Sequence, residues 1–457
     1  MSTAAVDTSS PGVLSKKYIL ATLGMCALIG ISAFEALAVT TVMPTVSREL
    51  DGESLYAFAF AAPLASGLVG MVVAGNWADR RGPRPVVLAS TLLFAVGLLV
   101  VGLAPSMTVL LIGRLIQGLG SGAVIVGLYV MVSQVFPERL HSAVFAGFAA
   151  AWVLPGLVGP VIAGTVTQTV GWHWVFIGAL GLCVPAFLMI LPTLRRLEPS
   201  DTRAPWRPAR ILWALGAAAA IVALNLISEL PDLLGALVVV ASVAALAVTL
   251  RPLLPKKTLG AGTGIPALVL LRGLVGAAFI GGDVYIPYLL SSHYGFSPAA
   301  SGVTLTSGAV SWAFASWLVG RIGERVPQLT GLRTGIALMI VGGLSAVATP
   351  LWHLHPVVII IGWTILGFGI GFVYSRFSVL TLRWSKDSEK GFNSSALTIS
   401  DSASAAVVLG VNGALFGLIG GPGDITAFVA CFAVAALVAV VALIVSGRGI
   451  PVGRRQG

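Results

Sequence analysis

Fourteen long apolar stretches, separated by short polar segments, constrain the fold of this chain more than any other feature. A helix needs about 20 apolar residues to cross a bilayer. Because a backbone in hydrocarbon has to satisfy its own hydrogen bonds, each stretch is predicted to be a membrane-spanning helix. The stretches cover residues 18–43, 55–77, 85–104, 107–133, 142–167, 172–193, 211–228, 233–250, 265–291, 298–320, 331–351, 356–380, 392–419 and 425–446.

The composition excludes a soluble protein, since 57% of the residues are hydrophobic and only 10% are charged. The three cysteines lie within apolar stretches and are interpreted as small buried residues, not as a disulfide or metal set. The sequence contains no phosphate-binding loop, nucleophile elbow or metal cluster. We therefore expect no cofactor, no enzymatic activity and no direct use of ATP, which leaves an ion gradient as the energy source.

The distribution of positive charge predicts the orientation. Nearly all of the 27 lysine and arginine residues fall in alternate connecting segments, and only Arg48 lies on the other side. The positive-inside rule then places both termini in the cytoplasm, and we expect a multi-pass protein of the bacterial cytoplasmic (inner) membrane. The same placement explains the net charge of +10 without a nucleic-acid partner. The first stretch is too long for the core of a signal peptide and is predicted to remain uncleaved.

The stretches group as six, two and six. This grouping predicts a cytoplasmic tail over 1–17, a six-helix bundle over 18–193, a basic linker with two additional spans over 194–264, a second six-helix bundle over 265–446, and a cytoplasmic tail over 447–457. The two spans of the linker are short and have a second interpretation, as one helical hairpin outside the transport core. Both interpretations leave the orientation of the flanking spans unchanged.

The two six-span blocks carry matching motifs. Glycine, three residues, an acid and arginine occur at 75–80, with Asp79 and Arg80, and again at 320–325, with Glu324 and Arg325. Four glycines also recur in register in the fourth and twelfth stretches. They are Gly113, Gly118, Gly120 and Gly122, matched by Gly362, Gly367, Gly369 and Gly371. Duplicated halves that face each other around a central cavity are a transporter architecture.

The segment 75–84 resembles the signature loop of the major facilitator superfamily between spans two and three. Gly75 is expected to permit close helix packing, Asp79 to pair with a cation or cap a helix, and the arginines to hold the loop at the membrane surface. The residues that carry this resemblance are Gly75, Asp79, Arg80, Gly82 and Arg84. The resemblance implies two six-helix bundles with two extra central helices and termini in the cytoplasm, and a monomer, as is usual in that superfamily.

Two further motifs resemble those of the same superfamily. Arg114, Gln117 and Gly118 in span four match its second motif, in which the arginine is implicated in proton coupling. Span five carries a glycine- and proline-rich motif that resembles the one associated with antiporters, and it is expected to bend the helix and shape a gate. Its key residues are Pro155, Gly159, Pro160 and Gly164. The structural alternative for Arg114 is that it only ties spans together.

Two acids within the spans are predicted to carry protons. Glu35 in span one and Asp283 in span nine occupy similar positions in the two halves. A carboxyl group inside the membrane is a candidate functional group, because its placement there is costly. A carboxyl group shielded from water can bind and release a proton near neutral pH. The resemblance to fourteen-span drug:proton antiporters adds weight to Glu35, although that family usually has Asp there. The alternative for either acid is a purely structural ion pair.

Other polar and aromatic residues leave alternatives open. Arg272 either snorkels to the interface or takes part in coupling, and for Asp401 an interhelical hydrogen bond is slightly favoured. Five aromatic residues either line a cavity for flat, apolar substrates or anchor the protein at the membrane interfaces. They are Tyr129, Trp152, Tyr285, Tyr288 and Trp312.

The sequence as a whole predicts a proton-coupled transporter that exports small amphipathic or drug-like compounds by alternating access. Its expected partners are a small-molecule substrate, protons and the lipid bilayer. Three alternatives stay open: proton-coupled uptake of a specific solute, export of a lipid or metabolite, and a membrane protein without transport activity.

Overall fold

The computed structural model describes residues 12–197, 208–226, 232–322, 325–386 and 389–450, and the regular elements in these ranges are helical. The helices are α1 Ile19–Glu49, α2 Tyr56–Arg81, α3 Pro83–Gly102, α4 Met107–Val135, α5 Glu138–Thr169, α6 His173–Arg196, α7 Pro208–Asn225, α8 Asp232–Thr249, α9 Ile265–Asp283, α10 Tyr285–His293, α11 Pro298–Ile322, α12 Gln328–Leu351, α13 Val357–Trp384, α14 Lys390–Ile419 and α15 Ile425–Ser446. Thirteen segments, with α9 and α10 counted as one, are long and apolar enough to cross a membrane. The one remaining predicted span, residues 233–250, corresponds to α8, whose apolar part is the shorter Leu237–Thr249.

The chain forms an all-α membrane protein with two halves of six spans each, α1–α6 and α9–α15, in which α9 and α10 form one span. We call the face of the bundle that carries Arg80, Arg81 and Arg84, at the connection between α2 and α3, the basic side. Gly82 makes the sharp turn there with a φ of 77°, and Pro83 begins α3. A residue with a Cβ disfavours this backbone conformation, so glycine at this point of the motif has a physical reason.

The internal repeat is present in the packing of the helices. In the first half, a Cβ on Gly118 or Gly122 of α4 would overlap backbone atoms of α2, and one on Gly120 would overlap the backbone of α3. In the second half, Gly367 and Gly371 of α13 meet α11 in the same way, and Gly369 meets α12. The glycines in register therefore allow equivalent close contacts between helices. By this correspondence, α2, α3 and α4 match α11, α12 and α13.

Gly75 does not have the expected packing role. A Cβ at this position would meet nothing within 4 Å. The close approach of α2 to α4 occurs instead at Gly67 and Gly70, whose added Cβ atoms would meet the carbonyl oxygens of Gly118 and Leu119.

The helix of span nine is interrupted at Val284, between α9 and α10, although Val284 keeps helical dihedral angles, with a φ of −68° and a ψ of −37°. Pro287 explains the interruption, because proline has no N–H to donate to the carbonyl of Asp283 and its ring crowds that carbonyl. Other groups satisfy neighbouring carbonyls. The Tyr56 hydroxyl donates to Val284 O at 2.7 Å, and the Asn412 amide donates to Gly281 O at 3.2 Å.

The two halves meet along α5 with α11 and along α2 with α14. α7 packs against both α2 and α14, and α8 packs on α7. The Asn225 amide of α7 donates to Ala406 O of α14 at 3.3 Å. The two additional helices thus cover one of the two seams between the halves, and they do not stand between them.

Candidate functional site

A buried ion pair joins α1 to α4 in the first half. The Arg114 guanidinium pairs with the Glu35 carboxylate through Nη1. The same Nη1 donates to Gln117 Oε1 at 2.9 Å, and Nε donates to Ala59 O on α2 at 2.9 Å. Glu35, Arg114 and Gln117 are 7%, 3% and 1% exposed. A charge pair this far from water is maintained only when further hydrogen bonds compensate for its desolvation, and the Gln117 and Ala59 contacts provide them.

Asp283 ends α9 at the helix interruption and is also buried. Within the described part of the chain, its carboxylate has no ion-pair partner. The repeat explains the difference from Glu35, because Trp363 occupies the position in α13 that Arg114 occupies in α4. Trp363 lies against Gly282, where a Cβ would be 3.4 Å from the indole ring. Of the two predicted proton carriers, Glu35 thus has an arginine partner, and Asp283 has none within the described residues.

Tyr285 and Tyr288 lie in an aromatic cluster on the side opposite to the basic side. Both are buried, and they pack on Tyr56, Phe416 and Phe428. Tyr56 belongs to the first half and the other four to the second. Together with the hydrogen bond from Tyr56 to Val284, this cluster closes the gap between the halves on that side. Neither tyrosine lines an open space in this conformation.

The other three predicted aromatic residues lie elsewhere. Tyr129, near the basic end of α4, is 48% exposed, and Trp152 on α5 is 45% exposed. Tyr129 contacts Phe145 and Phe148 of α5, with ring centroids 5.0 and 5.7 Å apart. Trp312 on α11 packs on Phe279 and Tyr374, each with a centroid distance of 5.3 Å.

The predicted motif of span five lies on the seam between α5 and α11. A Cβ on Gly164 would come within 2.7 Å of Ala299, and one on Gly156 would lie 3.4 Å from Ala309. Pro155 and Pro160 lie within α5. Gly159 faces Phe34 of α1, at 3.3 Å from an added Cβ. The motif thus brings α5 close to the second half and to the helix that carries Glu35.

The signature loop lies at the surface of the basic side. Asp79, Arg80 and Arg84 are exposed there. In the second half Arg325 lies in the turn that follows α11, and Glu324 falls outside the described residues.

A second polar cluster joins α9, α13 and α14, and it contains the interhelical hydrogen bonds that the sequence favours for Asp401. The Arg272 Nε donates to Asp401 Oδ2 at 3.2 Å, and the Tyr374 hydroxyl donates to Asp401 Oδ1 at 2.8 Å. The Arg272 guanidinium lies 3.6 Å from the centroid of the Tyr374 ring. The sequence indicates that Arg272 and Asp401 need polar partners, because charged residues within spans are costly when unpaired. Spacing along the chain does not reveal which spans lie next to each other.

Comparison with known proteins identifies the family. Residues 21–289, more than half of the chain, match the family model described as Major Facilitator Superfamily. The chain belongs to the major facilitator superfamily. Membership in this superfamily and the multi-pass helical fold make it a membrane transporter and not an enzyme.

Several transporters of this superfamily are similar to the chain over most of its length. The MFS-type transporter ppz2 of Metarhizium majus is 26% identical, over 90% of this chain and 74% of that protein. The multidrug efflux pump SdrM of Staphylococcus aureus is 22% identical, over 80% and 82%. Multidrug resistance protein 3 of Bacillus subtilis is 26% identical, over 86% and 77%.

Solved structures with the same fold include members with different cargo. A peptide transporter POT in complex with alafosfalin has a TM-score of 0.69 and 17% identity, and the match covers 98% of this chain and 97% of that one. A D-xylose-proton symporter has a TM-score of 0.67 and 14% identity, with 96% and 98% covered. At these identities the likeness concerns the fold alone.

Proposed function

We propose that this transporter exports small amphipathic compounds in exchange for protons. The observation that supports this most directly is the buried pair of Glu35 and Arg114, which joins two helices of the first half out of reach of bulk water. A buried carboxylate held by one arginine is a group whose protonation changes the local structure. The similarity to two multidrug proteins supports export of amphipathic compounds.

The proton step acts through the contacts of Arg114. When Glu35 takes a proton, the charge pair is lost, and Arg114 keeps only Gln117 and Ala59 O as partners. α1 and α4 are then held together less strongly. Asp283, next to the interruption in span nine, serves as the second proton carrier in the other half. The free energy of protonation differs between the two conformations, so protonation shifts the population from one conformation to the other.

We assign the basic side to the cytoplasm, by the positive-inside rule, and the membrane to the bacterial cytoplasmic membrane. The aromatic cluster around Tyr285 and Tyr288 then closes the outer side. Substrates enter from the cytoplasm between the halves, and we assign the exposed Tyr129 and Trp152 to the surface that they contact. Alternating access requires this outer cluster to separate while the helices close on the basic side. The glycine- and proline-rich motif of α5 and the signature loop between α2 and α3 then lie where the two halves move relative to each other.

The test is dye transport in vesicles of purified protein with an acid interior. We expect a fluorescent amphipathic dye to accumulate inside as protons leave, and a protonophore to abolish the accumulation. Glu35→Gln and Asp283→Asn are expected to lose gradient-driven accumulation but to keep exchange of dye across the membrane without a gradient. Glu138→Gln, which changes an exposed acid in the first turn of α5, is the matched control.

The outcomes separate the alternatives. Normal accumulation by both acid variants contradicts the coupling assignment. Movement of a solute in the same direction as the protons indicates an uptake symporter. Transport of a fluorescent phospholipid in place of the dyes indicates lipid export, and the absence of any gradient-dependent flux contradicts the proposal altogether.

A further inference from the structure

The cluster of Arg272, Asp401 and Tyr374 is a partly open charged site within the membrane-spanning region. All three residues lie in the parts of α9, α13 and α14 nearer the basic side. The Arg272 and Asp401 side chains remain 19% and 24% exposed, in contrast to the 3% of Arg114. Charged groups that faced lipid at this position would be costly. An open edge that faces the space between the halves avoids this cost.

The Arg272 side chain is held in place by its neighbours, and those that the structure describes do not use all of its hydrogen-bond donors. Asp401 accepts from Nε, and the Tyr374 ring covers one face of the guanidinium. Arg272 also interacts with the Tyr374 hydroxyl, and within the described residues no second acid pairs with the guanidinium. The planar fork of a guanidinium matches a carboxylate, phosphate or sulfonate with two parallel hydrogen bonds. Because Asp401 accepts from Nε, the outer edge of the Arg272 guanidinium is oriented to suit an anion.

The surroundings are built to hold the arginine in this orientation. Gly276 of α9 leaves room for the cluster, because a Cβ there would overlap Asp401 Oδ1 and lie 2.7 Å from the Tyr374 hydroxyl. Next to Tyr374, Trp312 and Phe279 add an apolar surface. The combination of one anion site and adjoining aromatic rings fits an amphipathic molecule with an acidic head group.

The charges of the site also disfavour a cationic ligand. A cation that bound Asp401 would displace Arg272, and arginine stays charged and would be left without its carboxylate. An anion bound at Nη1 and Nη2 leaves the pair with Asp401 in place. We propose that Arg272 binds the acidic group of the substrate and that the transporter prefers anionic over cationic amphipathic compounds. This inference rests on the proposed function, since it names the class of compound that is exported.

The test measures binding, which does not depend on a proton gradient. The probes are the anionic dye 1-anilinonaphthalene-8-sulfonate and the cationic dye ethidium, with full-length protein in nanodiscs and empty nanodiscs as the blank. We expect wild type to bind the sulfonate more tightly than ethidium. Arg272→Gln should weaken sulfonate binding by about 10- to 100-fold, as expected for loss of hydrogen bonds to a charged group. Its affinity for ethidium should not fall.

Two further variants keep the result interpretable. Arg321→Gln removes an exposed arginine that also stacks on an aromatic ring, 4.4 Å from the centroid of Trp317, and should bind both dyes like wild type. If Arg272→Gln does not fold, Arg272→Lys decides, since lysine keeps the charge but not the fork and should lose about threefold or more in sulfonate affinity.

A folded Arg272→Gln or Arg272→Lys protein with wild-type sulfonate affinity would overturn the inference, and so would a wild-type preference for ethidium. Neither result touches proton-driven flux. Conversely, a protein that binds the sulfonate through Arg272 but shows no gradient-dependent transport would contradict the proposed function and leave the anion site intact.

Discussion

The two buried acids of the spans differ in what surrounds them. Glu35 pairs with Arg114. In the half that contains Asp283, Trp363 occupies the position equivalent to Arg114. A neutral carboxyl group is tolerated in an apolar environment, while an ionised one needs a partner. The two acids therefore have separate roles in our account: protonation of Glu35 breaks a contact, and protonation of Asp283 neutralises an unpaired group.

Removal of Arg114 alone should destabilise the protein more than removal of Arg114 together with its partner Glu35. Arg114→Gln leaves Glu35 buried without a counter-charge, a change that costs about 3 kcal/mol or more in comparable pairs. We expect a lower apparent melting temperature in detergent for this variant. The double variant Glu35→Gln with Arg114→Gln should recover part of the loss, since no unpaired charge is left. Equal melting temperatures for the single and double variants would contradict the interpretation of the pair.

The hydroxyl of Tyr56 should stabilise closure of the side opposite to the basic side. Tyr56→Phe keeps the ring in the aromatic cluster and removes only the hydrogen bond to Val284 O. One such bond is worth about 1 kcal/mol, so the ratio of closed to open molecules should fall about fivefold. Accessibility to a thiol reagent of a cysteine introduced at Phe428, which is buried in that cluster, measures this ratio. Unchanged accessibility would show that the bond does not hold the two halves together.

At the residue scale, the sequence indicates which side chains are unusual but not which of them meet. Glu35, Arg114 and Asp283 stand out because each lies in an apolar stretch, but spacing along the chain does not decide which of them pair. Tyr56 carries no such signal, since a tyrosine at a helix start is also typical of an interface anchor. Its role depends on a contact with Val284 O in the other half, which is a tertiary feature.

Among the helices, the packing of α4 and α13 and the single span nine could be predicted, whereas the interruption of its hydrogen bonding at Val284 could not. Glycines spaced along a span indicate close helix contacts, and their register in the two halves identified the repeat. Pro287 was visible in span nine, but a proline in a membrane helix is compatible with a mild bend as well as with a break. Gly75 shows that a motif glycine does not always mark a close contact.

Substitution of a packed glycine should be costly where the backbone of a neighbouring helix lies against it. Gly122→Ala places a methyl group on the backbone of Gly67, and both helices would have to move apart. We expect a loss of about 1–3 kcal/mol, the usual range for overpacking, seen as a lower apparent melting temperature. Gly181→Ala on α6 is the control, because its added Cβ would meet nothing within 4 Å. Equal effects of the two substitutions would contradict the packing argument.

At the scale of the whole molecule, the sequence predicts two similar halves but not their relative positions. The number of spans and the repeat follow from hydropathy and glycine register. Which side is closed depends on contacts of Tyr56, Tyr285 and Phe416 between helices far apart in the chain. The position of α7 and α8 on the seam of α2 and α14 also depends on tertiary packing, and both interpretations of the linker were compatible with its sequence.

Distances between spin labels at the two ends of α5 and α11 should change in opposite directions. Exposed positions are available at both ends: Glu138 and Arg321 on the basic side, and Thr169 and Ser297 on the other. With the native cysteines replaced, we expect acid conditions to shorten the first distance and lengthen the second, since the halves rock about a central site. The Glu35→Gln background should respond less to pH. Parallel changes of both distances would contradict alternating access.

The central claim is that Glu35 exchanges a proton when substrate binds, and proton release tests it most directly. Purified protein in weakly buffered detergent solution is mixed with the dye that is transported best, and a pH indicator reports protons released. We expect wild type to release protons in proportion to bound dye, with most of the release lost in Glu35→Gln and retained in Glu138→Gln. Full release by Glu35→Gln with normal dye binding would contradict the account.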